Sequence, residues 1–420
     1  MSADGRPEFD AILPAQRDLR PLHISWFLHN HCNHRCSYCH ESNWSGSFRW
    51  ISFDDVRSFI EQVKAHFPDR QILVSMTGGE PTLWPDFERC VQYLAAEGIE
   101  IGMTSNGARP LDFFERVASH FSWINFSFHP EFTRPEKFLS LVDRLSSLVP
   151  VSVRIMLPRE DKMWRRSMEF RQTLERELLS GNIRGRIQIE MVKVVSGFGT
   201  LNTAPIAYAV SQDEELARWP SRELSRSDSV KVPYESVLGE YVTHQLANPA
   251  TELLRANDLV EAGRVNFKNW ICNIGIEQLF VGADGFVFRA GCGVGSRLGR
   301  IGGHISFPNQ PVRCWKTYCH CVTDIAISKV SPEWVNSRVE SSDLDSTHQS
   351  LLRGAAWYRR FGSRLWDFLQ EAAFELENSN QERSLRGWTS RMYLQGKRVW
   401  LTARWSRRWQ RKSELPHKLS

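Results

Sequence analysis

Long apolar runs are missing from this chain of 420 residues. No stretch of about 18 or more uncharged apolar residues occurs, which argues against a membrane-spanning helix. The first residues, MSADGRPEFDAILPAQRD, are polar and include acids, so they lack the basic start and apolar stretch of a secretory signal peptide. These absences predict a cytoplasmic protein. A hydrophobic content of 41% still allows a substantial core and two or three domains.

Disulfides are rare in the cytoplasm, so the nine cysteines are expected to be metal ligands or reactive thiols. They form two groups, with Cys90 alone between them in a helical apolar pattern typical of a buried thiol. Two groups indicate two metal centres. The first group is Cys32, Cys36 and Cys39, and the second is Cys272, Cys292, Cys314, Cys319 and Cys321.

The first half of the chain alternates strand-like apolar runs with helical patterns, which is typical of successive βα units around a parallel sheet. Ser52 is an expected helix cap, and Gly98 is an expected helix end. Six repeats predict an open, partial barrel. The six predicted strands span 23–28, 71–77, 100–106, 123–129, 151–157 and 186–193.

Polar motifs follow the first four predicted strands. The cysteine triad follows the first strand, TGGEPT (77–82) the second, TSNG (104–107) the third and SFHPE (127–131) the fourth. Because chemistry in βα barrels sits at the carboxyl ends of the strands, these motifs should meet at one rim. Each motif alone would indicate only a turn or an ordinary polar rim. Their joint order favours a ligand site.

The second motif has the residue types of a binding turn. Gly78 and Gly79 let the backbone approach a ligand closely, and Pro81 fixes the exit from the turn. Glu80 offers a carboxylate to an ammonium group.

The triad has three thiolates on one loop, spaced three and two residues apart, with the aromatic Tyr38 before the last cysteine. Because a cubane iron–sulfur cluster normally takes four thiolates, this loop would leave one iron open. With its three companion motifs, the stretch from about 20 to 200 resembles the radical SAM superfamily. An isolated triad would also suit a structural zinc site.

The resemblance implies that Cys32, Cys36 and Cys39 hold a catalytic [4Fe–4S] cluster whose open iron chelates S-adenosylmethionine. One electron then yields a 5′-deoxyadenosyl radical, which abstracts a hydrogen atom from the substrate. The resemblance assigns the methionine amino group to Gly78, Gly79 and Glu80 and makes Tyr38 and Pro81 part of the cofactor site. The remaining predicted contacts, to the ribose, the methionine carboxylate or the substrate, are Ser105, Asn106, Ser127, His129 and Arg154.

A second cysteine-rich stretch begins at residue 270, where CNIGIEQLFVGADGFVFRAGC predicts a β-hairpin with ADG as its turn. Four of its five cysteines would close a cubane and leave one spare. The stretch resembles the twitch and SPASM extensions of some radical SAM enzymes, which implies one auxiliary [4Fe–4S] cluster. It departs from SPASM in having six residues, not four, between Gly285 and Cys292. A zinc knuckle is the alternative.

The last forty residues are strongly basic. Residues 381–420 contain eleven Lys or Arg and two acids, a net +9 that exceeds the +5 of the whole chain. Leu401, Trp405 and Trp409 lie four apart among arginines, which predicts a basic amphipathic helix. Such a helix suits an anionic membrane surface or the phosphates of a ligand, or it docks on the barrel through its tryptophans. No motif supports specific nucleic-acid recognition.

The predicted fold class is α/β: a partial (β/α)6 TIM-like barrel of the radical SAM type, a small Cys-rich β-hairpin and α domain, and a helical basic tail. The predicted domains are an N-terminal extension (1–20), the core barrel (21–200), a connector or insertion (201–269), a twitch/SPASM-like domain (270–330) and the Trp-rich tail (331–420).

The favoured reaction is oxidation or epimerisation of a sugar-like or phosphorylated small molecule. Only about twenty residues precede the first strand, whereas many peptide-modifying relatives are expected to carry a leader-binding domain there. Sulfatase-maturase-like modification of a peptide or protein is the second hypothesis, and a non-enzymatic iron–sulfur or zinc scaffold is the third. The radical reaction implies an electron donor such as flavodoxin or ferredoxin, and the tail predicts peripheral membrane contact.

Overall fold

The structure is a computed structural model. The predicted amphipathic helix around Leu401, Trp405 and Trp409 lies outside the part of the chain that it describes. The described residues are 7, 9–14, 21–183, 185, 187–197, 206–219, 222–224, 240–244, 251–319, 321–338 and 351.

The described part of the chain forms sixteen strands, which belong to two sheets. In chain order they are β1 (Ala11–Pro14), β2 (Leu22–Phe27), β3 (Ile72–Thr77), β4 (Glu100–Ser105), β5 (Trp123–Phe128), β6 (Val151–Leu157), β7 (Ile187–Lys193), β8 (Arg222–Leu224), β9 (Glu240–His244), β10 (Thr251–Arg255), β11 (Ile271–Cys272), β12 (Gln278–Val281), β13 (Phe286–Phe288), β14 (Arg297–Arg300), β15 (Val312–Arg313) and β16 (Lys329–Val330).

Helices follow most of the parallel strands. Those described are α1 (Phe53–His66), α2 (Phe87–Ala96), α3 (Leu111–Val117), α4 (Pro135–Ser146), α5 (Asp161–Leu179), α6 (Val210–Ala217), α7 (Ala256–Glu261), α8 (Val322–Ile325) and α9 (Pro332–Arg338), with short 3-10 helices at Glu41–Asn43, Pro81–Leu83 and Ala118–His120.

The larger sheet has ten strands in the order β14-β13-β12-β2-β3-β4-β5-β6-β7-β8. From β2 to β7 each strand pairs in parallel with the next. These six strands agree with the predicted strands to within one residue at each described end. The sheet does not close into a barrel. The predicted α/β fold with an open arrangement of βα units is therefore confirmed.

The helices form where the sequence supplies caps and an apolar stripe. The Ser52 hydroxyl accepts a hydrogen bond from the Asp55 amide at 3.1 Å, which starts α1. Val56, Ile60 and Val63 are fully buried on the sheet side of this helix. Gly98, with a φ of +73°, ends the turn after α2 in a conformation that favours glycine.

The predicted hairpin forms, and it belongs to the larger sheet. β12 and β13 pair antiparallel around the turn at 282–285, and β12 also pairs in parallel with β2. Leu279 lies opposite Ile24 and is buried in the same apolar core as the barrel strands. The hairpin thus extends the barrel sheet beyond its first strand.

The smaller sheet is antiparallel, with the order β10-β9-β1-β16-β11-β15. Its third strand, β1, comes from the predicted N-terminal extension and pairs with β9 and β16. On its other side β11 carries Cys272, opposite Lys329 in β16 and Val312 in β15. This sheet therefore places the start of the chain beside the second cysteine group. Within the described ranges, no helix is long and apolar enough to cross a membrane.

Candidate functional site

The first cysteine group lies on the loop that follows β2. Cys36 is buried, and Cys32 and Cys39 are partly exposed. A turn closed by a 3.0 Å hydrogen bond from the Cys39 amide to the Cys36 carbonyl brings these two residues onto one side of the loop. All three thiols are free, so none is committed to a disulfide.

The two glycines after β3 pack directly against this loop. The Gly79 amide donates to the His29 carbonyl at 2.8 Å, and the Glu80 amide donates to the His31 carbonyl at 2.7 Å. A Cβ atom on Gly79 would lie 2.0 Å from the His31 carbonyl oxygen, and one on Gly78, whose φ is +128°, would lie 2.7 Å from that of His29. Glycine is therefore required here by the backbone of the cysteine loop itself.

Glu80 is buried and accepts four hydrogen bonds. Its Oε1 accepts from the Thr82 amide and hydroxyl and from the Ser105 hydroxyl, and its Oε2 accepts from the Asn106 amide at 2.7 Å. Burial raises the pKa of the Glu80 carboxyl, and these donors oppose the shift. The carboxylate joins the carboxyl ends of β3 and β4, and Pro81 begins the 3-10 helix that follows. The assignment of Glu80 to the methionine amino group stays a prediction.

The motif after β5 reaches the cysteine loop from the other side. The Tyr38 hydroxyl lies 2.6 Å from His129 Nδ1, and Cys36 Sγ lies 3.4 Å from the same atom. Burial lowers the pKa of His129 to about 3, so the ring that is hydrogen-bonded to the Tyr38 hydroxyl is neutral. The Ser37 amide and hydroxyl donate to the Glu131 carboxylate at 3.0 and 2.6 Å. The SFHPE motif thus positions the middle of the triad loop, from Cys36 to Tyr38.

Asn106, after β4, contacts the start of the triad. Its side-chain amide donates to Asn33 Oδ1 at 2.8 Å and lies 3.8 Å from Cys32 Sγ. Three motifs that are far apart in sequence therefore converge on one loop.

A polar row continues from this point across the next strands. Ser127 in β5 lies opposite Arg154 in β6, and Arg154 lies opposite Glu190 in β7. The Arg154 guanidinium donates to Glu190 at 2.8 Å, and both side chains are partly exposed while their strand neighbours are mostly buried. The ion pair with Glu190 thus holds Arg154 at a partly exposed position on the sheet.

Burial dominates the electrostatics of the triad. It raises the pKa of Cys32 to about 11 and that of Cys36 to about 12, and it raises the pKa of Cys39 as well. These thiols are protonated at neutral pH, and a metal centre that binds them must displace their protons.

A cavity of about 670 Å³ opens beside the triad loop, within the usual size range of small-molecule sites. Three cationic side chains and one carboxylate, Glu136, line it together with His34 of the triad loop and with Asn106 and Gly107 of the TSNG motif. Among its lining residues are His34, Asn106, Arg109, Phe132, Arg134 and Lys137.

Sequence reasoning missed three residues of this site. The Asn43 side-chain amide lies 3.4 Å from Cys39 Sγ, and Asn33 accepts from Asn106. Neither lies in a pattern that distinguishes it from a turn asparagine. Glu190 had a signal, because it is an acid inside the apolar strand RIQIEMVK, at the same depth as Arg154 in the strand before.

The second cysteine group surrounds the end of the smaller sheet. Cys272 lies in β11, Cys292 lies after β13, and Cys314 directly follows β15, with its amide bonded to the Trp270 carbonyl at 2.8 Å. Cys272, Cys292 and Cys314 belong to one apolar cluster. Cys321 precedes α8, and its Sγ lies 2.9 Å from the Thr323 hydroxyl.

Burial raises the pKa of all five of these thiols. The Asp324 carboxylate raises it further for Cys292, Cys314, Cys319 and Cys321, and neighbouring thiols raise it further for Cys272, Cys292 and Cys319. No three His, Cys, Asp or Glu side chains in the described part of the chain converge as ligands of a single ion.

Residues 26–170 match the model of the radical SAM superfamily. A probable GTP 3′,8-cyclase of Sulfolobus acidocaldarius is 36% identical over 92 residues, which is 22% of this chain and 28% of that protein. The mycofactocin maturase MftC of Mycolicibacterium smegmatis is 28% identical over 89 residues, which is 21% of this chain and 22% of that protein. The chain thus spans less than a third of these curated relatives.

Two solved structures are also similar. Streptococcus suis SuiB bound to its precursor peptide SuiA aligns over 66% of this chain and 60% of that chain, with 12% identity and a TM-score of 0.41. Native anSMEcpe with bound AdoMet aligns over 68% of this chain and 79% of that chain, with 15% identity and a TM-score of 0.41.

Replacing Gly79 with Ala should displace the cysteine loop, because the new Cβ meets a carbonyl oxygen at 2.0 Å. We expect the free energy of unfolding to fall by about 1–3 kcal/mol. We also expect the buried Cys36 to be alkylated faster, which peptide mass spectrometry measures. The matched control is Gly303→Ala, whose Cβ would lie 3.4 Å from its nearest neighbour. Unchanged protection of Cys36 in Gly79→Ala would show that the loop does not depend on this contact.

Proposed function

We propose that this chain is a radical SAM enzyme in which Cys32, Cys36 and Cys39 hold a [4Fe–4S] cluster with one open iron. The convergence of three loops on the triad supports this most directly. Gly79 bonds to His29, Asn106 bonds to Asn33, and Glu131 accepts from Ser37. Each contact fixes a different part of the cysteine loop.

The donor set fits such a cluster. Three free thiols on one loop supply three corners of a cubane, and the loop contains no fourth cysteine. The neutral donors of Asn43 and Asn106 next to Cys39 and Cys32 suit anionic sulfur.

When bound, the cluster and S-adenosylmethionine would supply the radical chemistry: one electron from a donor such as flavodoxin or ferredoxin would break a carbon–sulfur bond of the sulfonium, releasing methionine and a 5′-deoxyadenosyl radical able to take a hydrogen atom from the substrate. The protein contributes position and polarity. Ser127 and Arg154 lie opposite each other in β5 and β6, and their donors suit a carboxylate and ribose hydroxyls. Because His129 is neutral, it bonds to the Tyr38 hydroxyl without adding charge beside Cys36.

We favour a phosphorylated, sugar-like small molecule as substrate. The cavity beside the triad presents Arg109, Arg134 and Lys137 against the single carboxylate of Glu136, which suits an anionic ligand. One relative is named for a reaction of GTP. Peptide modification is the second candidate, because another relative is named a mycofactocin maturase.

We further propose that the second cysteine group holds one auxiliary [4Fe–4S] cluster with Cys272, Cys292, Cys314 and Cys319 as ligands. Each of these four thiols interacts electrostatically with at least one other of the four. The Cys321 thiol lies 2.9 Å from the Thr323 hydroxyl instead. We therefore assign Cys321 as the spare thiol.

Replacing Cys32, Cys36 and Cys39 together with Ala should lower the iron content of anaerobically reconstituted protein from about eight to about four per chain. The native chain should give an EPR signal after dithionite reduction that shifts on addition of S-adenosylmethionine, and it should form 5′-deoxyadenosine. Cys90→Ala, which removes a cysteine outside both groups, is the control and should keep all the iron. Zinc in place of iron, or an EPR signal indifferent to S-adenosylmethionine, would refute the radical reaction.

Replacing Arg134 and Lys137 with Met should raise the KM for a phosphorylated substrate at least tenfold, because the cavity loses two of its three cations. The measurement is anaerobic 5′-deoxyadenosine formation with panels of sugar phosphates, nucleotides and short peptides. Leu148→Ala, on the exposed surface, is the control. Stimulation by peptides alone would favour the second candidate.

Replacing Cys319 with Ser should remove about four irons, since it deletes a ligand of the second cluster, whereas Cys321→Ser should keep them. The same iron assay and EPR spectra check both variants. Iron loss in Cys321→Ser would make Cys321 a ligand. Loss of the S-adenosylmethionine-sensitive signal in Cys319→Ser would count against two independent centres.

A further inference from the structure

Lys329 is an unusual lysine because it is buried. Among the described lysines and arginines, only Arg171 and Lys329 are buried, each with 2% of its surface exposed. Arg171 has a carboxylate partner, Glu175, at 3.0 Å. The Lys329 ammonium donates instead to the carbonyl oxygens of Asp324 and Ile325, at 2.8 and 2.6 Å. These bonds hold the ammonium in place but do not neutralise it.

The strand register points Lys329 at the second cysteine group. It lies directly opposite Cys272 across the β11–β16 pair, and residues paired in this way project to the same face of the sheet. Cys314 lies two residues beyond Val312, the other partner of Cys272, and so shares that face. Burial raises the pKa of Cys272, Cys314 and Cys319, and the positive charge of Lys329 opposes the rise in all three.

The other buried charges at this site are negative. Asp324 accepts from the Cys292 amide at 2.6 Å and from the Gln278 side chain at 2.7 Å. Glu277 accepts from the Ser328 amide at 3.0 Å. Four thiolates would add to this negative charge. Because buried charge is costly unless opposite charge compensates it, these carboxylates and an anionic cluster would depend on Lys329, which is the buried cation of this described site.

We propose that the ammonium group of Lys329 is the charge partner of the auxiliary cluster and makes that cluster easier to reduce. The inference rests on the auxiliary cluster of the proposed function. Reduction adds one electron, and so one negative charge, to a cluster that is already anionic through its thiolates. A cation held beside them stabilises the reduced state more than the oxidised state. Lys329 is thus a positioning residue that tunes the potential without touching substrate.

The test is an EPR-monitored dithionite titration of full-length protein carrying Ala at Cys32, Cys36 and Cys39, so that the auxiliary cluster alone contributes. We expect Lys329→Gln to make reduction at least tenfold less favourable, which is about 59 mV toward lower potential for one electron. Lys329→Arg keeps the charge and should stay near the parent. Lys316→Gln removes an equal charge beside Cys314 at a partly exposed position, where solvent screening should make the shift small.

Iron content separates the outcomes. A lower potential in Lys329→Gln with full iron supports the inference, and so does iron loss in Lys329→Gln that Lys329→Arg prevents. An unchanged potential with full iron overturns it while leaving the auxiliary cluster intact. Iron loss in both Lys329 variants also overturns it, because Lys329 would then act only through its carbonyl contacts. A parent without iron at this site would refute the auxiliary cluster itself.

Discussion

Two backbone hydrogen bonds, from Gly79 to His29 and from Glu80 to His31, determine the geometry of the candidate site. They continue the parallel β2–β3 ladder past the ends of both strands, after the bond from Leu28 to the Thr77 carbonyl. The continuation is possible because no Cβ stands between the two segments. These bonds therefore hold the backbone at the start of the cysteine loop in one position. Glu80 is held in turn by the Ser105 hydroxyl and the Asn106 amide at the end of β4.

The two cysteine groups have contrasting surroundings. Neutral groups touch the triad thiols, and the two carboxylates that act on them, Glu80 and Glu131, raise the pKa of Cys32 and Cys36. Around the second group, the buried carboxylates Asp324 and Glu277 are accompanied by a buried cation, Lys329. Among the described residues, the triad has no buried cation of this kind beside it. The two groups therefore differ in whether a buried cation of the protein offsets the negative charge around the thiols.

Local pattern predicted the barrel well because each βα unit is specified by residues close in sequence. The apolar runs, the Ser52 cap and the Gly98 turn each depend on neighbours a few residues away. The order of the motifs after the strands predicted which loops would meet. The polar contacts between those loops were beyond sequence reasoning: an Asn43 or Asn33 acquires its role only when the fold brings a sulfur or an amide to it. The same holds for Lys329, whose position depends on the register of three very short strands.

The pairing of β12 with β2 was also unpredicted, since about 250 residues separate the two strands. It has a consequence for how the chain is made. Until β12 leaves the ribosome, the amides and carbonyls along one edge of β2 have no strand to pair with, next to the loop that carries the cysteine triad. At synthesis rates of about 5–20 residues per second, this edge stays unpaired for tens of seconds. An unpaired apolar edge readily adds a foreign strand, so β2 is exposed to wrong pairing until β12 has been made.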